Sequence, residues 1–399
     1  MGLHTFTELE LFAFSLIADF LKERELTNTL ESLQLEAGDI FDRLERFQRP
    51  HGKPLLTVLE EHESGELSGN LQRLALDRQY DSELNQPGPT PIPQLPPLTL
   101  ENVHHANILT VTSRTVPTSL FPTLDPSTSP TTHVILTGST DKTARITDAK
   151  TGALLSRLDH HKSAILAVDF HPQNPLNVLT AGMDGAAHIV NIQTGEPLQS
   201  FHDHTKYIVR AQFSPFDNGL WLVTASYDRT VQIYKQIPSS SSSPTPTYQK
   251  YHTVTLPGAI ESFCFLPPHP PTHPHITLVL GSRDDHRLHH IDLDPSAPTP
   301  TSLKTYTTNM NQNGDSWVSF VPMDLSPSPS GNFLAVYTDS KAGRIIIFAS
   351  RSDRQVRNLY GTVADGFSRP RIGWDKRGRV VVATSDDRQI YLFDVGSGE

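Results

Sequence analysis

Nineteen histidines give this 399-residue chain a large stock of potential metal ligands and proton carriers, and two groups of them are close enough in sequence to act together. His269, His273 and His275 lie in the proline-rich run PPHPPTHPH, whereas His286, His289 and His290 surround a strand-like run beside Asp284 and Asp285. A zinc centre needs several such side chains converging at about 2.0–2.2 Å from one ion. Alternation along a strand sends His289 and His290 to opposite faces, which favours solvated loop and strand histidines over a metal centre. The paired carboxylates Asp284-Asp285 and Asp386-Asp387 could serve acid–base catalysis, but each pair falls at a tight turn, where Asp is expected for its side-chain-to-backbone hydrogen bonds. There is no Gly-rich phosphate loop, no GxSxG and no HExxH. The reading therefore assigns no catalytic residue, no cofactor and no metal ligand.

The elements that carry those aspartates repeat. GSTDKTARITDAKTG (138–152), AGMDGAAHIVNIQTG (181–195), ASYDRTVQIYK (225–235), SRDDHRLHHID (282–292) and TSDDRQIYLFD (384–394) share one frame: an apolar strand, an Asp, then a second strand of alternating pattern. The frame places Asp141, Asp184, Asp228, Asp285 and Asp387 as structural turn residues, the first three 43 and 44 residues apart. Wider later gaps follow from the insertions PSSSSSPTPT (238–247) and PPHPPTHPH (267–275), both too rich in Pro and Ser to pack. A sixth copy runs from Trp317 through FLAVYTDSKAGRIIIFAS (333–350), with a longer turn between its strands.

Composition divides the chain. Residues 1–84 are rich in Leu, Glu and Arg, with Pro50 and Pro54 the only prolines, and NQPGPTPIPQLPP (85–97) reads as an extended linker that cannot hold a helix. Residues 98–399 carry the β-rich repeats. In the first part, TELELFAFSLIADFLKERELTNTLESLQLEAG (7–38) predicts two short helices. One starts at Thr7 with Leu9, Phe12, Leu16, Phe20 and Leu21 as its apolar stripe; the other starts at Thr27 or Asn28 and ends at Gly38. Two helices of this length bury too little area to stand alone and call for a partner. Residues 39–84 carry further apolar groups that suit additional helix, without a sustained heptad.

The repeats resemble the WD-repeat family over residues 98–399. Their spacing matches the roughly 40–45 residues per propeller blade of that family, and His161 in LDHHKSAILAVDF and His204 in FHDHTKYIVRAQF stand where the family has its Gly-His histidine. The Trp-Asp positions read Thr147-Asp148, Val190-Asn191, Tyr234-Lys235, Ile291-Asp292, Phe348-Ala349 and Phe393-Asp394, so no blade keeps the Trp. That departure predicts blades stiffened less by the family's His, Ser/Thr, Asp, Trp hydrogen bonds and more by apolar packing. The resemblance implies a mainly β fold, a β-propeller of six recognisable blades with seven possible. LTLENVHH (98–105) is expected to supply the last blade's fourth strand and close the ring. Partner proteins are expected on the propeller's top face, with Tyr207, Tyr227, Arg283 and Trp317 as candidate contacts. Each of the four also has an ordinary reading in blade packing.

The helical stretch is similar to the LisH motif, a dimerising hairpin that precedes WD repeats in several proteins. The residues carrying the match are Ile17, Phe20 and Leu21, then Leu26, then Thr29, Leu33 and Glu36, with Leu16 on the same stripe. It departs at Glu25-Leu26, where Gly-Tyr is usual, and at Leu33, where an aromatic is common. The resemblance implies a homodimer through residues 1–38; the competing reading is an amphipathic hairpin packed on the propeller.

Charge and composition bound the partners. The net charge of −10 is concentrated in residues 1–85, where eight Lys or Arg face seventeen Asp or Glu. A nucleic-acid binder presents a basic face, so a nucleic-acid-associated factor is a secondary reading, as is a metal-dependent or catalytic propeller. No apolar run reaches the length of a membrane span. The start MGLHTFTELELF lacks a secretory pattern, and Phe6 stands where myristoylation needs Ser or Thr. The single cysteine, Cys264, suits a reducing compartment, hence an intracellular, cytoplasmic or nuclear setting. The expected function is a non-enzymatic scaffold that binds proteins in a larger complex, of the microtubule-motor, corepressor or ubiquitin-ligase kind.

Overall fold

Strands of three to ten residues, apolar on alternate positions or throughout, cannot bury themselves singly. In this chain they pair antiparallel with their sequence neighbours into six small sheets. The computed structural model describes residues 17–18, 21–22, 26–36, 99–100, 103–124, 127, 129–237, 247–269, 273–297, 303–311, 314–364 and 369–398. The chain divides into two units, Met1–Pro87 and Gly88–Glu399.

In the second unit each sheet is one blade, its strands in sequence order from the inside outwards. Blade 1 comprises Ile108–Pro117, Thr131–Ser139, Ala144–Asp148 and Leu154–Leu158, and blade 2 Ile165–Phe170, Asn177–Gly182, Ala187–Asn191 and Pro197–Phe201. Blade 3 comprises Ile208–Phe213, Trp221–Ser226, Thr230–Ile237 and Thr247–Thr255. Blade 4 comprises Ile260–Leu266, Ile276–Ser282, Arg287–Leu293 and Thr305–Asn309. Blade 5 comprises Pro322–Pro327, Phe333–Thr338, Ile345–Ala349 and Gln355–Leu359. Blade 6 has three strands, Ile372–Trp374, Val380–Thr384 and Ile390–Asp394.

Apolar layers between blades hold the array together. Val134, Leu136 and Ile146 of blade 1 meet Ile165 and Val178 of blade 2. Leu179 and Ile189 meet Phe213 and Leu222 at the next junction, and Val223 and Ile233 meet Phe263 and Leu278 at the one after. The second strands of blades 2 to 5 are buried along their whole length, because blades cover both of their faces. In blades 1 to 5 the register slips by one residue at the start of the inner strand, a bulge that bends the incoming loop over the turn between strands two and three.

The ring does not close as the sequence predicts. Blade 6 has no fourth strand among the described residues: Thr99 and Leu100 lie in irregular backbone, and Leu98 is outside them. Leu100 instead lies against Gly152 of blade 1, and the Arg145 side chain donates to the Val103 carbonyl at 2.8 Å, so this segment is held by blade 1. Inner strands are in substantial contact at the five junctions from blade 1–2 to blade 5–6, but not between blades 6 and 1. There Val111 is 65% exposed and Ile390 68%, with Ile108 and Leu392 also exposed.

In the first unit one complete helix, α1 (Thr27–Glu36), stands where the second helix is predicted, and 17–18 and 21–22 are helical. The Leu26 N–H donates to the Leu21 carbonyl and the Leu30 N–H to that of Leu26. Leu21 and Ala18 are buried, Leu33 is half-buried, and Ile17, Leu26 and Thr29 are exposed; Glu36 ends the helix. A two-helix hairpin is not established by these residues, and Leu16 and Phe20 lie outside those described.

Candidate functional site

Polar clamps at the start of each early blade fix the surface on which the candidate contacts lie. In blade 3, His204 Nε2 lies 2.8 Å from the Thr224 hydroxyl and Nδ1 3.0 Å from the Asp228 carboxylate. That carboxylate also accepts the N–H groups of Thr205 and Thr230 at 2.9 Å. Blade 2 repeats the arrangement with His161, Thr180 and Asp184, and blade 1 with His104, Thr137 and Asp141. The expectation that these bonds stiffen the blades less is corrected for blades 1 to 3: three members of the network form without the Trp, whose blade 3 position holds Tyr234, bonded to Asp203 at 2.8 Å. Burial alone would raise the Asp228 carboxyl, but hydrogen bonds from Thr230 and Thr205, with the His204 charge, hold it below the usual carboxylate range; Asp184 and Asp141 are held low in the same manner.

Asp285 and Asp387 occupy the corresponding turns of blades 4 and 6. Asp285 accepts the Arg287 N–H at 2.9 Å and pairs with His289 at 2.6 Å; Asp387 accepts from the Gln389 N–H at 3.0 Å and the Tyr391 hydroxyl at 2.7 Å. All five turn aspartates therefore lie between second and third strands. A repeated backbone bond ties each turn to the loop before its inner strand: Met183 N–H to Ala164, Tyr227 N–H to Tyr207 and Arg283 N–H to Ala259.

Those turns and loops of blades 2, 3 and 4 surround a cleft of about 750 Å³. Tyr207, Tyr227 and Arg283 all line it; Trp317 does not. Trp317 is 75% exposed, on a loop fixed by the Asn311 amide, which donates to the Trp317 carbonyl at 2.7 Å.

Beneath the cleft lies Glu261, 2% exposed within the inner strand of blade 4. Its carboxylate accepts the Tyr227 hydroxyl at 2.8 Å and the Arg283 Nε–H, and Arg369 stands 3.6 Å away. The Arg369 guanidinium also covers the Tyr227 ring at 5.2 Å, and the Tyr207 ring tilts against that of Tyr227 at 6.4 Å. Burial raises the Tyr227 hydroxyl pKa, and the bond to Glu261 raises that of Arg283, so the phenol stays protonated and the guanidinium charged. At the rim the side chains of Lys206 and Arg229 are exposed and make no hydrogen bond or ion pair with described residues. The cleft thus offers an open tyrosine face and, among the described residues, two uncommitted cations above the Glu261 floor.

Glu261, Arg369, Lys206 and Arg229 were not singled out from sequence. Glu261 carried a usable signal: a carboxylate inside the apolar run IESFCFL must be either exposed or paired. Among the described residues no group of three or more His, Cys, Asp or Glu is placed to hold a metal ion. His290 instead stacks on Tyr306 at 4.5 Å and bonds to Thr308, and His273 pairs with Asp292. No helix among the described residues is long and apolar enough to cross a membrane.

No curated protein was found to match the chain. Residues 152–191 and 195–235 match the family model described as WD domain, G-beta repeat. Each matched stretch begins before the outer strand of one blade and ends in the third strand of the next, so the sequence repeat is offset from the blade by one strand. The chain carries WD40 repeats on a mainly β, six-bladed propeller.

Proposed function

We propose that this chain is a non-catalytic scaffold whose partner protein docks on the cleft between the turns of blades 2, 3 and 4. WD40 propellers are generally protein-interaction folds and typically non-catalytic. The observation that carries the reading is the convergence of Tyr207, Tyr227 and Arg283 on one cleft whose rim cations, Lys206 and Arg229, have no partner among the described residues. Tyrosine and arginine on a rigid, partly buried floor are the side chains from which interface hot spots are built. The LisH-like stretch is the proposed dimerisation element, through Leu16, Ile17, Phe20, Leu21, Leu26, Thr29, Leu33 and Glu36. Pairing two propellers would raise avidity without new contacts. The single, buried Cys264 suits an intracellular, cytoplasmic or nuclear setting.

Affinity purification with the intact chain and with Tyr207→Ala/Arg229→Glu tests the docking face. Both side chains are exposed, so the variant should fold normally and lose its specific partners; an unchanged set of partners refutes the site. Light scattering on the intact chain and on Phe20→Asp tests dimerisation. Equal masses for the two, both monomeric, refute it.

A further inference from the structure

A second cavity, of about 640 Å³, lies on the ring axis and is lined from every blade, for instance by Thr110, Asp169, Arg210, Cys264, Asp324 and Arg371. Its volume falls within the roughly 300–1,000 Å³ typical of small-molecule pockets. Its charges do not balance. Arg210 and Arg371 share one carboxylate, Asp324, and that group is already occupied. Its Oδ1 takes the Arg210 guanidinium and the Leu325 N–H at 3.1 Å, and its Oδ2 the Ile372 N–H at 3.0 Å.

The Arg371 guanidinium is left 3.9 Å from Asp324 and makes no hydrogen bond with described residues. The Arg210 Nε–H is buried without an acceptor. The cavity's other carboxylate, Asp169, turns its oxygens to the N–H groups of Phe170 and Phe213 at 2.9 and 3.0 Å, and burial pushes its pKa up to about 7. A third guanidinium, Arg369, is committed to Glu261 and Tyr227. Burial, with repulsion from Arg210, pushes Arg371 down to about 9, so it stays charged at neutral pH. A half-buried guanidinium whose one nearby carboxylate already accepts three other donors is incompletely compensated, and an entering anion supplies the missing acceptor.

We propose that the axial cavity binds a small organic anion whose phosphate or carboxylate group sits between Arg210 and Arg371. The guanidinium fork is suited to either oxyanion through paired N–H bonds. Phe216, half exposed on the cavity wall, and Ile372 beside Arg371 supply apolar surface for the organic body. The site is separate from the cleft between blades 2, 3 and 4 and does not depend on it.

Titration calorimetry on the full chain, in low-chloride buffer at neutral pH, tests this with phenyl phosphate and benzoate as probes. One equivalent of at least one probe should bind, and the one that binds tells phosphate from carboxylate. Affinity should fall about tenfold or more in Arg371→Gln and stay unchanged in Lys206→Gln, which alters only the cleft. If Arg371→Gln does not give a native melting transition, Arg371→Lys keeps the charge without the fork and should bind several-fold more weakly. Absence of binding at millimolar probe overturns the proposal. So does binding that is unaffected at Arg371, or binding lost only in the Lys206 variant.

Discussion

The Tyr227 hydroxyl, on the turn of blade 3, donates at 2.8 Å to the buried Glu261 carboxylate in the inner strand of blade 4. With Arg283 and Arg369 on the same carboxylate, the bond ties two blades and the approach to a third into one floor beneath the cleft. Glu261→Ala should destabilise the protein by roughly 3–5 kcal/mol, because two guanidinium groups would be left beside an apolar void. Tyr227→Phe, which leaves the ion pairs in place, should cost only about 1 kcal/mol. Urea unfolding of both variants checks the ratio; equal costs would show that the carboxylate does not organise the floor.

Turn aspartates with the same sequence frame should differ in weight. Asp228 anchors His204, Thr205 and Thr230, and Asp228→Ala should cost about 1.5–3 kcal/mol. Asp387 is exposed, and its replacement by Ala should shift the melting temperature little. Equal losses at the two positions would contradict the clamp geometry.

Stability should fall between pH 6.5 and 4. Burial, the largest cause in each case, lowers His160, His171 and His188 to about 4 and His290 to about 3. Unfolded histidines take up protons near 6.5 while the folded ones do not, so the unfolded chain binds more protons as pH drops through that window. Asp169, raised to about 7, acts in the opposite sense, since its folded form holds a proton that the unfolded one releases above about 3.8. Burial lowers His204 and His252 and raises Asp217 as well, so six histidines against two carboxyls leave a net loss on acidification. A urea midpoint at pH 5 equal to or above that at pH 7 would refute this.

Gly258 abuts the Arg283 carbonyl so closely that an added Cβ would lie 1.7 Å from its oxygen. The obstacle is backbone and cannot rotate away, so Gly258→Ala should cost roughly 1–3 kcal/mol and weaken partner binding by shifting the cleft wall. Thermal melting and affinity purification measure both. Trp317→Ala should change neither, since that side chain is exposed and outside the cleft.

Much of this architecture was legible in the residues. The Asp spacing marks the turns because Asp bonds the N–H two residues on whatever the strands around it are, and Asp141, Asp184 and Asp228 keep that local chemistry. Tyr227 and Arg283 could be placed because they lie beside the turn aspartates Asp228 and Asp285, and Tyr207 because it precedes an inner strand. Trp317 also precedes an inner strand, but the turn of blade 5 is longer, and its surroundings differ from the start. Glu261 and Arg371 were not legible as sites: their roles come from side chains more than twenty residues away, brought together only by the ring. LTLENVHH stands before a His position, as a fourth strand would, yet Leu100 lies against Gly152 of blade 1. Pattern specifies a face to be buried, not which neighbour buries it.

Among the described residues blade 6 lacks a fourth strand and its inner strand makes little contact with that of blade 1, so this junction is the weakest in the ring. Where one junction of a ring is weaker than the rest, the blades beside it can open locally while the others persist. Amide protons of Val380–Thr384 and Ile390–Asp394 should therefore exchange with solvent well before those of the second strands of blades 2, 3 and 4, whose both faces are covered. Melting should then start at that junction, and the surface carried by the central blades should be the last to be lost.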